Sequence, residues 1–168
     1  KDKIVFFNNL IKHQTNTELL LGVDHKIIKP YGLDSKLLKN NFSKLAITHN
    51  KFIKLLSMEL NKLHSVNKNH RYWSIVFGAW LRDFIWATYN RYCTLEEAFK
   101  ENNIDEILSI DDYDQDYVSD EIFDFMSHTN DLLFDAILIN KIIEHTKYKD
   151  KLNKIIPVKK KSFKNFNF

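Results

Sequence analysis

Leu60-Asn61-Lys62-Leu63-His64-Ser65-Val66-Asn67-Lys68-Asn69-His70-Arg71-Tyr72-Trp73-Ser74-Ile75-Val76-Phe77-Gly78-Ala79-Trp80-Leu81 holds the end of one helical pattern, a polar break and the start of another. Upstream, Leu38, Phe42, Leu45, Phe52, Leu56, Leu60 and Leu63 recur at three- and four-residue spacing or its multiples, which places them on one helical face. Asp34 or Ser35 can cap the start by accepting a free backbone N–H. The pattern reads as one long helix, or as two joined near Thr48-His49-Asn50, and Ser65 to Asn69 breaks it. Downstream, Trp73, Phe77, Trp80, Phe84 and Ala87 form a stripe, with Ile75, Val76, Leu81 and Ile85 on its flanks. A membrane span needs ~20 predominantly apolar residues. This run meets Arg82-Asp83 well before that, so the expectation is a helix buried in protein.

Working outward, Ile4-Val5-Phe6-Phe7 suits a buried strand, and Lys26-Ile27-Ile28-Lys29 suits a second, stopped by Pro30 and the turn-forming Tyr31-Gly32. Asn8 to Gly22 between them is expected to be helical. Thr94-Leu95-Glu96-Glu97 has the form of a capping box that would open a further helix, ended by Asn102-Asn103. Asp105 to Val118 reads as an acidic surface loop, and Ser119 to Tyr148 as helical, with Ile122, Phe125, Met126, Leu133, Ile137 and Ile143 toward a core. The expected organisation is a strand–helix–strand start over 1–33 and a helical region of the same domain over 34–148. A basic tail or linker follows over 149–168. The fold class is mainly α with a short α/β start.

Composition narrows the function classes. Three glycines and two prolines in 168 residues are too few for an all-β sandwich or barrel rich in tight turns. The single cysteine, Cys93, excludes an internal disulfide framework and cysteine-built metal or iron–sulfur sites. The net charge of +3 hides an asymmetry: Glu101 to Asn140 carries twelve acids and no Lys or Arg. Lys147 to Lys164 carries eight lysines against Asp150 alone, which reads as a solvated end, with an anionic membrane surface as the other partner such a tail can meet. No nucleic-acid motif accompanies it. The chain begins without Met and shows no signal-peptide pattern, and it reads as a fragment.

Asp112, Asp114 and Asp116 begin like a calcium loop, but Tyr117 stands where the turn needs glycine and Phe123 where the bidentate carboxylate should be. Asp112-Tyr113-Asp114 also has the Asp-x-Asp form used to hold metal–nucleotides, but in a segment this acidic it reads as a solvated loop. The seven histidines show no ligand spacing, and no metal site is expected. Lysine outnumbers arginine 22 to 3, yet Arg71, Arg82 and Arg91 lie in one 21-residue window, with Trp73, Trp80 and Trp86 inside it and Cys93 beside it. A planar guanidinium fork suits phosphate and carboxylate as lysine does not. The alternative is that a bulky buried helix collects tryptophans and keeps arginines at its edges.

These residues resemble a family of transferases found among O-antigen and other surface-polysaccharide biosynthesis genes. The family carries L-N-x-x-H-x-V, then R-Y-W-x-I-x-x-G-P-W-L, then an aromatic helix ending D-R-[YW]. Asn61 to Tyr92 follows that order, with Ala79 in place of Pro, Ser74 where many members have Arg, and Asn90 in place of Asp. Lys29-Pro30-Tyr31-Gly32-Leu33-Asp34 is similar to the family's P-Y-H-W-D-D element, and the likeness extends loosely over 26–145.

The resemblance implies the N-terminal portion of a two-domain α/β transferase of GT-B type, acting in bacterial surface-polysaccharide synthesis at the cytoplasmic face of the inner membrane. The donor would be a nucleotide-activated sugar held mainly by a C-terminal domain outside this chain, with no cofactor in the chain itself. The acceptor would be a sugar or glycolipid. His70, Arg71, Tyr72, Trp73 and Arg91 are the expected substrate-binding residues, and no catalytic residue is assigned. Arg71 and Trp73 are expected to line a cleft, with Phe77, Trp80 and Phe84 in the core. A non-catalytic helical interaction module with a basic membrane-docking tail is the alternative.

Overall fold

A computed structural model of the chain describes residues 4–7, 24–31, 35–110, 127–128 and 131–156. The described residues are mainly helical. They include strands β1 (Ile4–Phe6) and β2 (His25–Ile27), helices α1 (Ser35–Leu63) and α2 (His70–Glu101), strand β3 (Ile107–Ile110), helix α3 (Leu132–Glu144), a 3-10 turn (Lys149–Lys151) and strand β4 (Leu152–Ile156). The chain divides into two compact units, 1–102 and 103–168. The helical region expected over 34–148 therefore spans parts of both. The expected helix between Asn8 and Gly22 and the expected Asp-x-Asp segment lie outside the described residues.

In the first unit β1 and β2 pair in parallel, Ile4 opposite His25 and Phe6 opposite Ile27. Ile28, just past β2, is buried. α1 and α2 then form an antiparallel hairpin whose register is fixed by contacts along its length: Asn41 with Tyr89, His49 with Gly78, and Asn61 with Trp73. α1 is a single helix. Thr48 and His49 do not break it because both polar side chains are satisfied within helical geometry. The Thr48 hydroxyl donates to Lys44 O at 3.0 Å, and His49 Nε2 donates across to Gly78 O at 2.8 Å.

The buried face of α1 is rotated from the expected stripe. Leu45 is buried as expected, but Ile53 and Ser57, outside that stripe, are buried while Phe42, Phe52 and Leu63 are exposed. The cause is where the helices come closest. Gly78 is buried and Ile53 lies against it, so the closest line of α1 runs through Ile53 and Ser57.

α2 also differs from expectation. Thr94 does not cap a new helix; α2 runs unbroken to Glu101. Leu95 and Ala98 are buried and continue the helical spacing of Leu81, so ending the helix at Thr94 would strand backbone groups beside a packed face. The Thr94 hydroxyl instead donates to Asn90 O at 2.8 Å. Asn102 ends the helix as expected, its backbone N–H and Nδ2 both donating to Ala98 O.

In the second unit β3 pairs in parallel with β4, Ile110 opposite Ile156, with an irregularity between Ile107 and Leu108. The stretch from Asp105, expected as a loop, thus contains a strand, and the stretch expected as a tail contains β4. A parallel pair requires a long crossover, and α3 supplies part of it while packing on β3. Asp131 caps α3, accepting the Phe134 N–H at 3.0 Å, so the helical stretch expected from Ser119 is interrupted there. Phe134 and Ile143 of α3 are buried together with Ile107 of β3.

A methyl group added at Gly78 would meet Ile53 Cδ1 at 3.6 Å and His49 Nε2 at 3.9 Å, ordinary van der Waals distances. Gly78→Ala is therefore expected to raise stability by roughly 0.5–1 kcal/mol through helix propensity alone. Urea denaturation checks it, and a destabilised variant would show that the helices approach more closely than described.

Candidate functional site

The quoted stretch folds as one tightly bonded reversal. Ser65 takes the left-handed conformation, φ 52°, at the end of α1. The Val66 N–H donates to Asn61 O and the Ser65 N–H to Lys62 O, the paired bonds of a Schellman cap. Asn61 organises the rest. Its Oδ1 accepts the Lys68 N–H at 3.0 Å and the Trp73 Nε1–H at 2.9 Å, and its Nδ2 donates to Lys68 O at 2.8 Å. Asn69 caps α2, accepting the Tyr72 N–H at 3.0 Å.

This turn sorts the expected binding residues. Trp73 is 7% exposed, with the His64 ring stacked beside it and Tyr72 edge-on. Its only polar atom is bound to Asn61, so Trp73 packs the turn, contrary to the expectation that it lines a cleft. Trp80 and Phe84, expected in the core, are only half-buried and stack on each other at 5.3 Å. His70, Arg71 and Tyr72 are exposed on the first turn of α2, and Lys68 Nζ lies 5.3 Å from the Tyr72 ring centre. Arg71 has no ion-pair partner among the described residues. The helix N-terminus adds its partial positive charge here, giving a cationic, aromatic tip.

Arg91 is not brought to this tip. Twenty residues of continuous helix separate it from Arg71, roughly 30 Å at ~1.5 Å per residue. It is half-buried, with Nη1 donating to Ala87 O at 3.1 Å.

Arg91 lies instead beside a polar cluster that sequence reading missed. The Tyr31 N–H donates to the Thr94 hydroxyl at 2.9 Å, Asn41 Nδ2 donates to the Tyr31 hydroxyl at 2.7 Å, and the Tyr89 hydroxyl donates to Asn41 Oδ1 at 2.9 Å. The Tyr31 and Tyr89 rings meet edge to face at 6.3 Å. The segment leaving the carboxyl end of β2 is thereby pinned to both helices. Two members of the cluster stood in the motifs quoted above, Pro30-Tyr31 and Tyr89 to Tyr92. Asn41 carried no signal, since nothing in its neighbours distinguishes it from the chain's many asparagines.

Cys93 adjoins Tyr89. Burial pushes its thiol above the ordinary range, opposed by a hydrogen bond with Tyr89 and reinforced by Glu97. Burial likewise pushes the Tyr89 hydroxyl up, with Cys93 adding to the effect. The shift favours the protonated thiol, which is a poor nucleophile. Among the described residues no group of three His, Cys, Asp or Glu side chains is placed to hold a metal ion.

Residues 1–167 match the model of a family described as LIC12162 family transferase. No curated protein and no solved structure matches the chain.

Two outcomes follow from this geometry. Asn61→Ala leaves the Trp73 indole N–H without its acceptor and should cost about 1–3 kcal/mol. Asn61→Asp keeps that acceptor and should cost less; tryptophan fluorescence during urea unfolding reads both, and equal losses would refute the role of Oδ1. For the cluster, a raised thiol pKa gives stability that is intact below the unfolded value, about pH 8.5. It is lost as pH rises through the higher folded value. The unfolding midpoint should hold flat to about pH 8.5 and fall from there until the folded thiol has titrated, and Cys93→Ser should flatten the first part of the fall.

Proposed function

The chain belongs to the LIC12162 transferase family, and from that premise we propose that it is the acceptor-side part of a glycosyltransferase-like enzyme of bacterial surface-polysaccharide (O-antigen) synthesis. In this reading it is the N-terminal portion of a two-domain, GT-B-like protein working at the cytoplasmic face of the inner membrane. The donor, a nucleotide-activated sugar, sits mainly on a domain beyond this chain.

One observation carries the reading: His70, Arg71 and Tyr72 stand exposed on the first turn of α2, on a turn that Asn61 and Trp73 hold in place. Arg71 offers a planar fork to a phosphate or carboxylate, Tyr72 offers an aromatic face to the C–H side of a sugar ring, and the free N–H groups at the helix start favour an anion. Trp73 acts as the support beneath them. Arg91, roughly 30 Å along the helix, serves a separate portion of the acceptor. A glycolipid is long enough to engage both ends, and a monosaccharide is not.

Arg71→Lys keeps the charge but removes the fork. In the enzyme carrying its nucleotide-sugar domain, kcat/KM should fall about tenfold or more, with the melting temperature unchanged because the side chain is exposed. The 168-residue chain alone should not turn over nucleotide-sugars. Unchanged transfer by Arg71→Lys, or turnover by the isolated chain, would overturn the assignment.

A further inference from the structure

The outer surface of α1 carries a pattern that the hairpin does not use. Ile47, Lys51, Lys54, Leu55, Met58 and Lys62 fall within about a 100° arc at 100° per residue, away from the packed line through Ile53 and Ser57. All six are exposed, and the three apolar side chains remain 57–60% open to solvent. Lys62 pairs with Glu59 at 2.8 Å, an exposed pair that contributes little. Lys51 and Lys54 have no ion-pair partner among the described residues. From Ser35 to Arg82 the hairpin sequence has nine Lys or Arg against one acid, Glu59.

We propose that this face of α1 docks on an anionic lipid surface, with Ile47, Leu55 and Met58 entering the headgroup–acyl boundary and the lysines reaching back to lipid phosphates. Interleaved lysines and aliphatics are what an interfacial helix requires: burial of apolar side chains, with long cationic stems that snorkel to the charged layer. Other occupants fit less well. A second copy of the face would set lysine against lysine. A nucleic-acid backbone would give the three central aliphatic side chains nothing apolar to meet. A folded acidic protein would need to be shaped to a convex helix of roughly 22 Å from Ile47 to Lys62, whereas a lipid surface deforms to it. No described helix is long and apolar enough to cross a membrane, so the contact lies at the interface. The inference rests on α1 alone and does not depend on the transferase reading.

Co-sedimentation of the 168-residue chain with vesicles tests it. Binding is expected to phosphatidylcholine vesicles containing phosphatidylglycerol and not to phosphatidylcholine alone, and it should weaken as salt rises. Lys51→Gln and Lys54→Gln should each lower partitioning about fivefold at low salt. Leu55→Ser with Met58→Ser should lower it about tenfold, with helical content and melting unchanged because these positions are exposed. The control is Lys159→Gln with Lys160→Gln and Lys161→Gln, which is expected to leave binding largely intact. Absence of binding to the anionic vesicles would overturn the proposal. So would binding abolished by the tail variant but indifferent to the α1 variants, or self-association that Leu55→Ser with Met58→Ser removes.

Discussion

The first unit depends on a single amide. For α1 and α2 to lie antiparallel, the chain must reverse between Leu63 and His70, and every backbone group exposed by that reversal needs a partner. Asn61 supplies three of the bonds, two to the Lys68 backbone and one to the Trp73 indole. An amide is the side chain that can do this, because it accepts twice at its oxygen and donates from its nitrogen. Once Trp73 is held, the register of the helices is set. His49 then reaches the Gly78 carbonyl and Asn41 reaches Tyr89 without adjustment along the way.

The elements were legible where pattern and local chemistry agreed. The two strands at the start, the beginning of α1, the break before His70 and the stop at Asn102 all follow from periodicity and capping residues. What sequence missed has a common cause, namely partners distant in the chain. The burial of Ser57 in place of Phe52 is decided by Gly78, 21 residues on, and periodicity within α1 cannot reveal it. Thr94 has the local form of a cap, but burial of Leu95 and Ala98 outweighs that form. β3 was hidden in an acidic stretch because its parallel partner, β4, lies more than forty residues later.

The site was legible only in part. Arg71 was expected to line a cleft with Trp73, next to the polar break; it stands exposed on the first turn of α2. Helical spacing put Trp73 at the end of an apolar stripe, which read as exposure; the turn folds back over it instead. Asn61 stood inside the quoted motif, yet no single-chain pattern says that one asparagine among many will bond an indole twelve residues away. The Tyr31, Asn41 and Tyr89 cluster joins three separate segments and is visible only when they are assembled.

The two motif ends therefore have different physical characters. Asn61 to Trp73 ties the reversal at one end of the hairpin, and Tyr31 with Tyr89 to Thr94 ties the β2 segment near the other. Two of the three arginines sit next to a tied end, Arg71 exposed and Arg91 half-buried with its guanidinium on the Ala87 carbonyl. A guanidinium already bonded to its own helix must give up that bond, or share it, before it can grip a ligand; an exposed one exchanges only water. Arg71 is for that reason the more available of the two, and a ligand engaging both must span roughly 30 Å of helix. The lysines of α1 complete the division, since the internal contacts made by Asn, Tyr, Thr and His leave Lys51, Lys54 and Lys62 on the outer surface, while Lys44 Nζ lies 6.0 Å from the Tyr89 ring centre. Those three charges are kept off the packed seam and left where they can meet another molecule.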